Sequence, residues 1–298
     1  MPAEMDQPSV ETSYKARRVE AWLDLHFYRP FGYRLALFFA RIRMSPAQVT
    51  LCGGALGITA GHFYYYRDLR WNLLWMFLHV LSNAFDNADG QLARLTKQGS
   101  RSGRALDGLV DNLVFVSVYA HLCLRYIAGG GSPLVGLLAI AAGLSHSWQS
   151  AAADYVRNAW LYFAEGKSRA ELDAASQVHA QFVRLRWKEK PREKFLFRLY
   201  LNYTTQQEWL LPRLNALKQL ANEPGGAAMA EAYCRATRPL IKWTNLLATN
   251  PRMILLFALL LLGQPVWYFV AELTVFNLLL FFLLRGQDQI CRRLLATV

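Results

Sequence analysis

The chain is expected to be all-α: a six-transmembrane-helix bundle with an N-terminal interfacial amphipathic helix and a cytoplasmic helical insertion. Three observations predict this class. The 298 residues are 54% hydrophobic and 13% aromatic, with a positive mean hydropathy of +0.12, which is too apolar for one ordinary soluble domain with 18% charged residues. Six stretches approach the roughly 20 mostly apolar residues that a bilayer-crossing helix needs. Lysine and arginine concentrate in alternate connections between those stretches, as topology by positive charge demands.

Residues 1–45 form the first region. The N-terminus MPAEMDQPSVETSYKARRVE has no apolar core of the kind a cleaved secretion signal requires, so the first membrane helix is expected to do the targeting. After it, AWLDLHFYRPFGYRLALFFARIRM interleaves Trp22, Leu25, Phe27, Phe31, Leu35, Phe38 and Phe39 with Arg29, Arg34, Arg41 and Arg43. That mixture suits a helix lying in the membrane interface, with arginines reaching back to anionic headgroups.

Region two, residues 46–164, holds the first four spans, near 46–66, 71–93, 104–126 and 133–156. Ser45-Pro46 opens the first as cap and first-turn residue. Arg67, Asp68 and Arg70 separate the first two, and Gly129, Gly130 and Gly131 break the chain after the third. Region three, residues 165–244, is the one long non-spanning stretch, basic and aromatic, with RLRWKEKPREKFLFRLYLNY and a break at Asn222-Glu223-Pro224-Gly225-Gly226. It reads as helices on the cytoplasmic surface. Region four, residues 245–298, carries spans near 245–263 and 266–285, joined by the turn Gly263-Gln264-Pro265, and a cytoplasmic C-terminus.

Few Lys or Arg lie at 67–70, 125–132 and 263–266, and nearly all the rest lie at 1–45, 94–104, 157–244 and 285–298, so both termini are expected in the cytoplasm of a bacterial inner membrane. Net charge is +12. In a membrane chain this excess points to basic cytoplasmic loops and anionic lipid, with no nucleic-acid partner expected. Cys52, Cys123, Cys234 and Cys291 are scattered, without CxxC or zinc spacing, and indicate no disulfide framework or zinc site.

The feature that asks for chemistry is DNADGQLARLTKQGSRSGRALDGLVD, residues 86–111. Carboxylates near lipid are costly, and an intramembrane acidic cluster is a functional-site hypothesis by default. Asp86, Asp89/Gly90 and Ala93 share one helix face, as do Gly103, Asp107 and Asp111. A short loop at 95–102 makes the two helices antiparallel neighbours, so four carboxylates can converge. Like charges so placed call for a cation, and an all-oxygen set favours a hard ion, Mg²⁺, Mn²⁺ or Ca²⁺. Gly90, Ala93 and Gly103 leave room beside the acids, while Arg94, Lys97, Arg101 and Arg104 supply positive charge. Together they suit a diphosphate. Small-residue helix packing accounts for Ala93 and Gly103 but not for four buried acids.

Asp86-x2-Asp89-Gly90-x2-Ala93-Arg94-x8-Gly103-x3-Asp107-x3-Asp111 resembles the signature of the CDP-alcohol phosphotransferases (CDP-alcohol phosphatidyltransferases) at every fixed position. Eight fixed positions match by chance at roughly 10⁻¹⁰ per starting site at average residue frequencies. Arg43-Met44-Ser45-Pro46-Ala47-Gln48-Val49-Thr50 also resembles the way members enter their first span, although many carry Asn where Ala47 stands.

The resemblance implies a six-span fold, a homodimer, two divalent ions (Mg²⁺ or Mn²⁺) and transfer of a substituted phosphate from a CDP-alcohol to an acceptor hydroxyl, releasing CMP, in phospholipid biosynthesis. It implies Asp86, Asp89 and Asp107 as metal ligands, Asp111 as ligand and general base, and Gly90, Ala93, Arg94 and Gly103 as the CDP cradle. CDP-diacylglycerol is the expected donor. A water-soluble polyol or polyol phosphate, such as inositol phosphate or glycerol phosphate, is the expected acceptor. Gln149, within the polar run Ser145–Ser150, and Arg157 and Arg252, at the expected level of the aspartates, are the candidate acceptor contacts. His62, His79 and His146 show no ligand spacing and read as structural, and Asn83, one turn before Asp86, as a possible orienting partner.

Three alternatives stand beside this reading. One is a soluble CDP-alcohol, such as CDP-choline or CDP-ethanolamine, with a lipid alcohol acceptor. Another is an intramembrane prenyltransferase, whose acidic motifs lie on helices distant in sequence. The non-enzyme alternative is a divalent cation transporter, which calls for acids in a second repeated half, whereas the last two spans hold Glu272 alone.

Overall fold

A computed structural model describes residues 19–166, 172–221 and 226–296. Residues 1–18, and residues 222–225 of the expected break, lie outside the described residues.

Every regular element among the described residues is helical. A π-helical turn Asp24–Tyr28 leads into α1 (Arg29–Arg41), then come α2 (Pro46–Phe63), α3 (Leu69–Leu95), α4 (Arg101–Ala128) and α5 (Val135–Glu165). The following segment folds as α6 (Ala175–Arg184), α7 (Pro191–Leu210), α8 (Pro212–Leu220) and α9 (Gly226–Thr237). A 3₁₀ turn Arg238–Leu240 connects to α10 (Ile241–Leu246) and α11 (Thr249–Leu261); α12 (Trp267–Ala271) then passes through a π-helical turn Glu272–Phe276 into α13 (Asn277–Leu295).

Helices occupy all six expected span positions. Among the described residues, three helical runs are long and apolar enough to cross a membrane: Arg101–Ala128, Gly226–Leu261 and Trp267–Leu295. The others fall short for visible reasons. The 18 residues of α2 include Gly53, Gly54, Gly57 and Gly61. Helix α3 dilutes its apolar run with Asn72, His79, Asn83 and Asp86, and α5 with Ser145, His146, Gln149 and Asp154. The run containing the fifth expected span begins earlier than the apolar count alone suggested, at Gly226.

The chain divides into two compact units, residues 1–64 with 70–118, and 65–69 with 119–298. In the first, Ala36 and Phe39 of α1 pack with Val49 of α2 and Ala88 and Leu92 of α3. The approach is close: a methyl at Gly32 would stand 3.0 Å from Gln91 Nε2 and 3.3 Å from the Ala88 nitrogen. Gln91 also donates to the Arg29 carbonyl at 3.2 Å. Helix α1 is thus held by one face and exposes Phe31 and Phe38, with Trp22, Phe27 and Ile42 exposed in the flanking segments.

In the second unit, Ala153, Tyr155, Val156 and Ala159 of α5 share a core with Leu214 and Leu217 of α8, Tyr233 of α9 and Leu283 and Cys291 of α13. Helices α8 and α9 are therefore built into the same core as α5 and α13. Trp160 Nε1 donates to the Cys234 carbonyl at 3.1 Å and reinforces that joint. All four cysteines are free.

Candidate active site

The site lies in the first unit, where α2, α3 and α4 meet. Ser45 caps α2 through a reciprocal capping box: Gln48 N–H donates to Ser45 Oγ, and the Ser45 N–H donates to Gln48 Oε1 at 2.8 Å. Pro46 takes the first helical position, where its missing N–H costs nothing.

From there the glycines decide how near the neighbours come. A methyl at Gly53 would stand 2.8 Å from Phe85 Cβ, one at Gly54 2.3 Å from Val110 Cγ1, and one at Gly57 2.6 Å from Ser82 Oγ and 2.7 Å from Val114 Cγ2. Gly61 meets Ser117 and Val118 as tightly, at 2.8 and 2.9 Å. Four-residue spacing of Gly53, Gly57 and Gly61 is the small-residue seam that lets helix backbones touch where no hydrophobic drive separates protein from lipid. Ser82 uses the closeness, donating to the Gly53 carbonyl at 2.7 Å.

The acids sit where these helices converge. Asp86, Asp89 and Asp107 each bring a carboxylate oxygen within 4.8 Å of the others. With Asp111, Thr50, Gly53, Gly54, Ser82, Val110 and Val114, they line one small cavity. Asp89 is buried and accepts a hydrogen bond from Thr50, whose hydroxyl also faces the Pro46 carbonyl at 3.0 Å. Asp107 Oδ1 is buried without a hydrogen-bond partner.

Three carboxylates held this close repel one another, and the orphaned Asp107 oxygen has no protein donor to offset its desolvation. A hard divalent cation answers both needs, and the donor set, oxygen throughout, is the kind Mg²⁺, Mn²⁺ or Ca²⁺ accepts. The residues therefore fit a metal. Asp111 is exposed by surface area yet lines the same cavity.

Between the two acidic helices the chain turns on Lys97, in the left-handed region at φ 55°, and Ser100 caps α4 by accepting from the Gly103 N–H at 3.0 Å. Gly90 faces the Arg94 guanidinium at 3.6–3.7 Å from where its Cβ would be, and Gly103 has only Ser100 Oγ nearby, at 3.1 Å. Ala93 accepts from the Gln98 N–H at the turn. The four spaced acids do come to one cavity, whose glycines are Gly53 and Gly54 of α2; Gly90, Ala93 and Gly103 are not among its lining residues. Sequence reading assigned no role to Thr50, Ser82 or the glycine seam; the four-residue glycine period was the available sign.

The three candidate acceptor contacts lie in the second unit and divide into two groups. Arg252 is fully buried. It pairs with Glu272, donates to Gln149 Oε1 at 2.8 Å and faces the Leu247 carbonyl at 3.3 Å. Gln149 in turn donates to the Glu272 carbonyl at 3.0 Å and to Asn277 Oδ1 at 2.8 Å. These two residues thus bind one another and Glu272, at the start of the π-helical turn. His146 joins this neighbourhood, 3.1 Å from the Tyr119 hydroxyl, and His79 stands 3.1 Å from the Tyr64 hydroxyl. Both are the structural histidines the sequence suggested.

Arg157 stands apart from that network, with its Nε buried and lacking a hydrogen-bond partner. One turn earlier, Asp154 accepts from Tyr203 at 3.0 Å, Gln207 at 3.2 Å and Asn158 at 2.9 Å. Burial, with Asp154 beside it, holds the Tyr203 hydroxyl well above the usual tyrosine range, so it stays a donor at any physiological pH.

Residues 43–161 match the family model described as CDP-alcohol phosphatidyltransferase. A curated relative, a phosphatidylinositol phosphate synthase of Streptomyces avermitilis, is 31% identical over 121 residues, covering 39% of this chain and 48% of the relative. The chain thus spans about half the length of that relative. The matched segment contains the glycine seam, the four aspartates and Asp154 and Arg157 of α5, so the likeness to the CDP-alcohol phosphatidyltransferases falls on the residues that build the acidic site.

Proposed function

We propose that the protein is an integral membrane phosphatidyltransferase that moves a phosphatidyl group from CDP-diacylglycerol to the hydroxyl of a polyol phosphate, releasing CMP. The observation that carries this reading is the convergence of Asp86, Asp89 and Asp107 within 4.8 Å inside the matched domain. The likeness to a phosphatidylinositol phosphate synthase of Streptomyces supports a phosphorylated polyol as acceptor.

Asp86, Asp89 and Asp107 would hold divalent ions, Mg²⁺ or Mn²⁺, with Asp111 completing the set. Bound there, the metal supplies charge neutralisation at the diphosphate. The remaining work belongs to side chains. Arg94 places a guanidinium beside Gly90, whose missing side chain would open the backbone to the diphosphate, while Ala93 on the same helix and Gly103 at the start of α4 would add little bulk beside it. Thr50 orients the Asp89 carboxylate by its hydrogen bond. Asp111 takes the proton from the attacking hydroxyl as the new P–O bond forms and the bond to CMP breaks.

For the acceptor phosphate, Arg157 is favoured over Arg252. Its Nε is buried and unsatisfied, whereas the Arg252 guanidinium is engaged by Glu272, Gln149 and Leu247. Arg252 and Gln149 then shape the protein around the acceptor. Six spans, an interfacial α1, a bacterial inner membrane and cytoplasmic termini complete the proposal, supported by the charge pattern and the apolar helices. The homodimer has the family resemblance alone behind it.

The test is an acceptor screen with the full-length protein in nanodiscs, reading CMP release from CDP-diacylglycerol with inositol phosphate, glycerol phosphate, inositol and glycerol. A phosphorylated acceptor is expected to be used at least tenfold better than its unphosphorylated counterpart. Arg157→Gln is expected to raise the acceptor KM with a smaller effect on kcat. Asp111→Asn is expected to retain CDP-alcohol binding and lose about 10²–10⁴ in turnover. CMP release from CDP-choline or CDP-ethanolamine onto diacylglycerol, in place of these reactions, would reverse the donor and acceptor assignment.

A further inference from the structure

A second concavity, of about 780 Å³, opens in the second unit between α5, α6 and α7. That is within the range of small-molecule sites, about 300–1,000 Å³. All its lining residues except Trp148 lie beyond residue 161, outside the matched domain. It is therefore a feature of this chain's additional helices.

Its chemistry is two-sided. Trp148 of α5 and Trp209 of α7 meet edge to face at 5.1 Å between ring centres and, with Leu201, give a largely apolar wall. Arg198, His179 and Asn202 line the same space. All three are exposed. Among the described residues, no carboxylate pairs with Arg198 or His179. Arg198 rests on the Phe182 ring at 5.9 Å, a stacking that holds a guanidinium in place without neutralising it. The surrounding hairpin is cationic and aromatic: exposed Trp187 and Phe195 alternate with basic residues along RLRWKEKPREKF. Tryptophan beside arginine, one end apolar and the other wet, is the composition of the headgroup level of a bilayer.

We infer that this groove binds an anionic phospholipid, with the headgroup phosphate at Arg198 and His179 and an acyl chain along Trp148, Leu201 and Trp209. An unneutralised guanidinium lining an aromatic slot, with an imidazole N–H as a further donor, complements an anion joined to a hydrocarbon tail. It complements neither a zwitterionic headgroup nor a free anion equally well. The inference is independent of the transfer reaction and of which CDP-alcohol is used.

The experiment is a melting-temperature titration of the full-length protein in detergent with dioleoyl-phosphatidylglycerol, dioleoyl-phosphatidylcholine and inorganic phosphate. Phosphatidylglycerol is expected to stabilise with at least tenfold higher apparent affinity than phosphatidylcholine, and phosphate alone is expected to give no shift. R198Q, at an exposed position, is expected to abolish the preference, and W148A/W209A to weaken both lipids. R192Q, an exposed arginine outside the groove, is expected to keep it. Equal response to the two lipids, a shift reproduced by phosphate, retention of the preference in R198Q, or equal loss in R192Q would each overturn the inference. Because the readout is lipid-dependent melting, its failure leaves the CMP-release result untouched.

Discussion

Substituting Gly54 by alanine perturbs the seam that brings α2 against α4, and its consequence can be worked from the packing. The new methyl would stand 2.3 Å from Val110 Cγ1, while the other two Val110 side-chain contacts are ordinary at 3.5 and 3.6 Å. The clash is therefore one methyl against one methyl, and contact at 3.4 Å requires about 1 Å of relief. Val110 cannot easily turn away, because a valine in a helix keeps one strongly preferred rotamer. The two helices must separate or the side chain must strain. Overpacking of this kind costs about 1–3 kcal/mol. Against that, Gly→Ala in a helix gains up to about 1 kcal/mol in propensity, so a net loss of roughly 0–2 kcal/mol is expected.

The assay is a double-mutant cycle on melting temperature in one detergent, with Gly54→Ala, Val110→Ala and both together. Removing the Val110 methyls should make the glycine substitution cheaper, with a coupling of about 1–2 kcal/mol. Gly108 provides the contrast: it sits in α4 with nothing within 4 Å of where its Cβ would be, so Gly108→Ala should raise the melting temperature. Since both seam residues line the acidic cavity, Gly54→Ala should also lose activity beyond its stability effect, as a displacement of about 1 Å can cost about 10²-fold. If Gly54→Ala melts above the parent, or the cycle shows no coupling, the close α2/α4 packing is wrong.

Thr50→Val should remove the donor to the Asp89 carboxylate and lower divalent-ion affinity by about 10–100-fold, read by metal-dependent thermal stabilisation. Arg252→Met should be among the most damaging single changes in the second unit, costing about 3–5 kcal/mol because it strands buried Glu272; Arg252→Met/Glu272→Leu should regain much of that loss, measured as recovered folded yield and melting temperature. Tyr203→Phe should cost about 1 kcal/mol by leaving Asp154 with one donor fewer, visible as a small melting shift whose size does not change between pH 6 and 8.

What the sequence disclosed and what it withheld follow one physical rule. The convergence of Asp86, Asp89, Asp107 and Asp111 was readable because all four lie in one helical hairpin, where 3.6-residue periodicity and a short loop nearly determine which faces meet. The helices themselves followed from apolar run lengths and from punctuation at Ser45-Pro46 and Gly263-Pro265. Thr50 against Asp89 is 39 residues distant in sequence and Arg252 against Gln149 is 103; no local pattern encodes such pairs. That is why Arg252 stood as a candidate acceptor contact with no sign in the sequence that Glu272, Gln149 and the Leu247 carbonyl engage its guanidinium. The groove of Trp148 and Trp209 was equally hidden, since α5 and α7 are joined through α6 and the pairing depends on how that segment folds back.

The most direct test of the central claim is CMP release from CDP-diacylglycerol and a polyol phosphate by the purified full-length protein in nanodiscs, measured with and without Mg²⁺ or Mn²⁺ and repeated with Asp107→Asn. The account predicts release that requires added divalent ion, disappears on chelation and returns on readdition, and falls by at least about 10²-fold when the Asp107 ligand is removed. CMP release that persists in excess chelator, or that Asp107→Asn leaves unchanged, would contradict it.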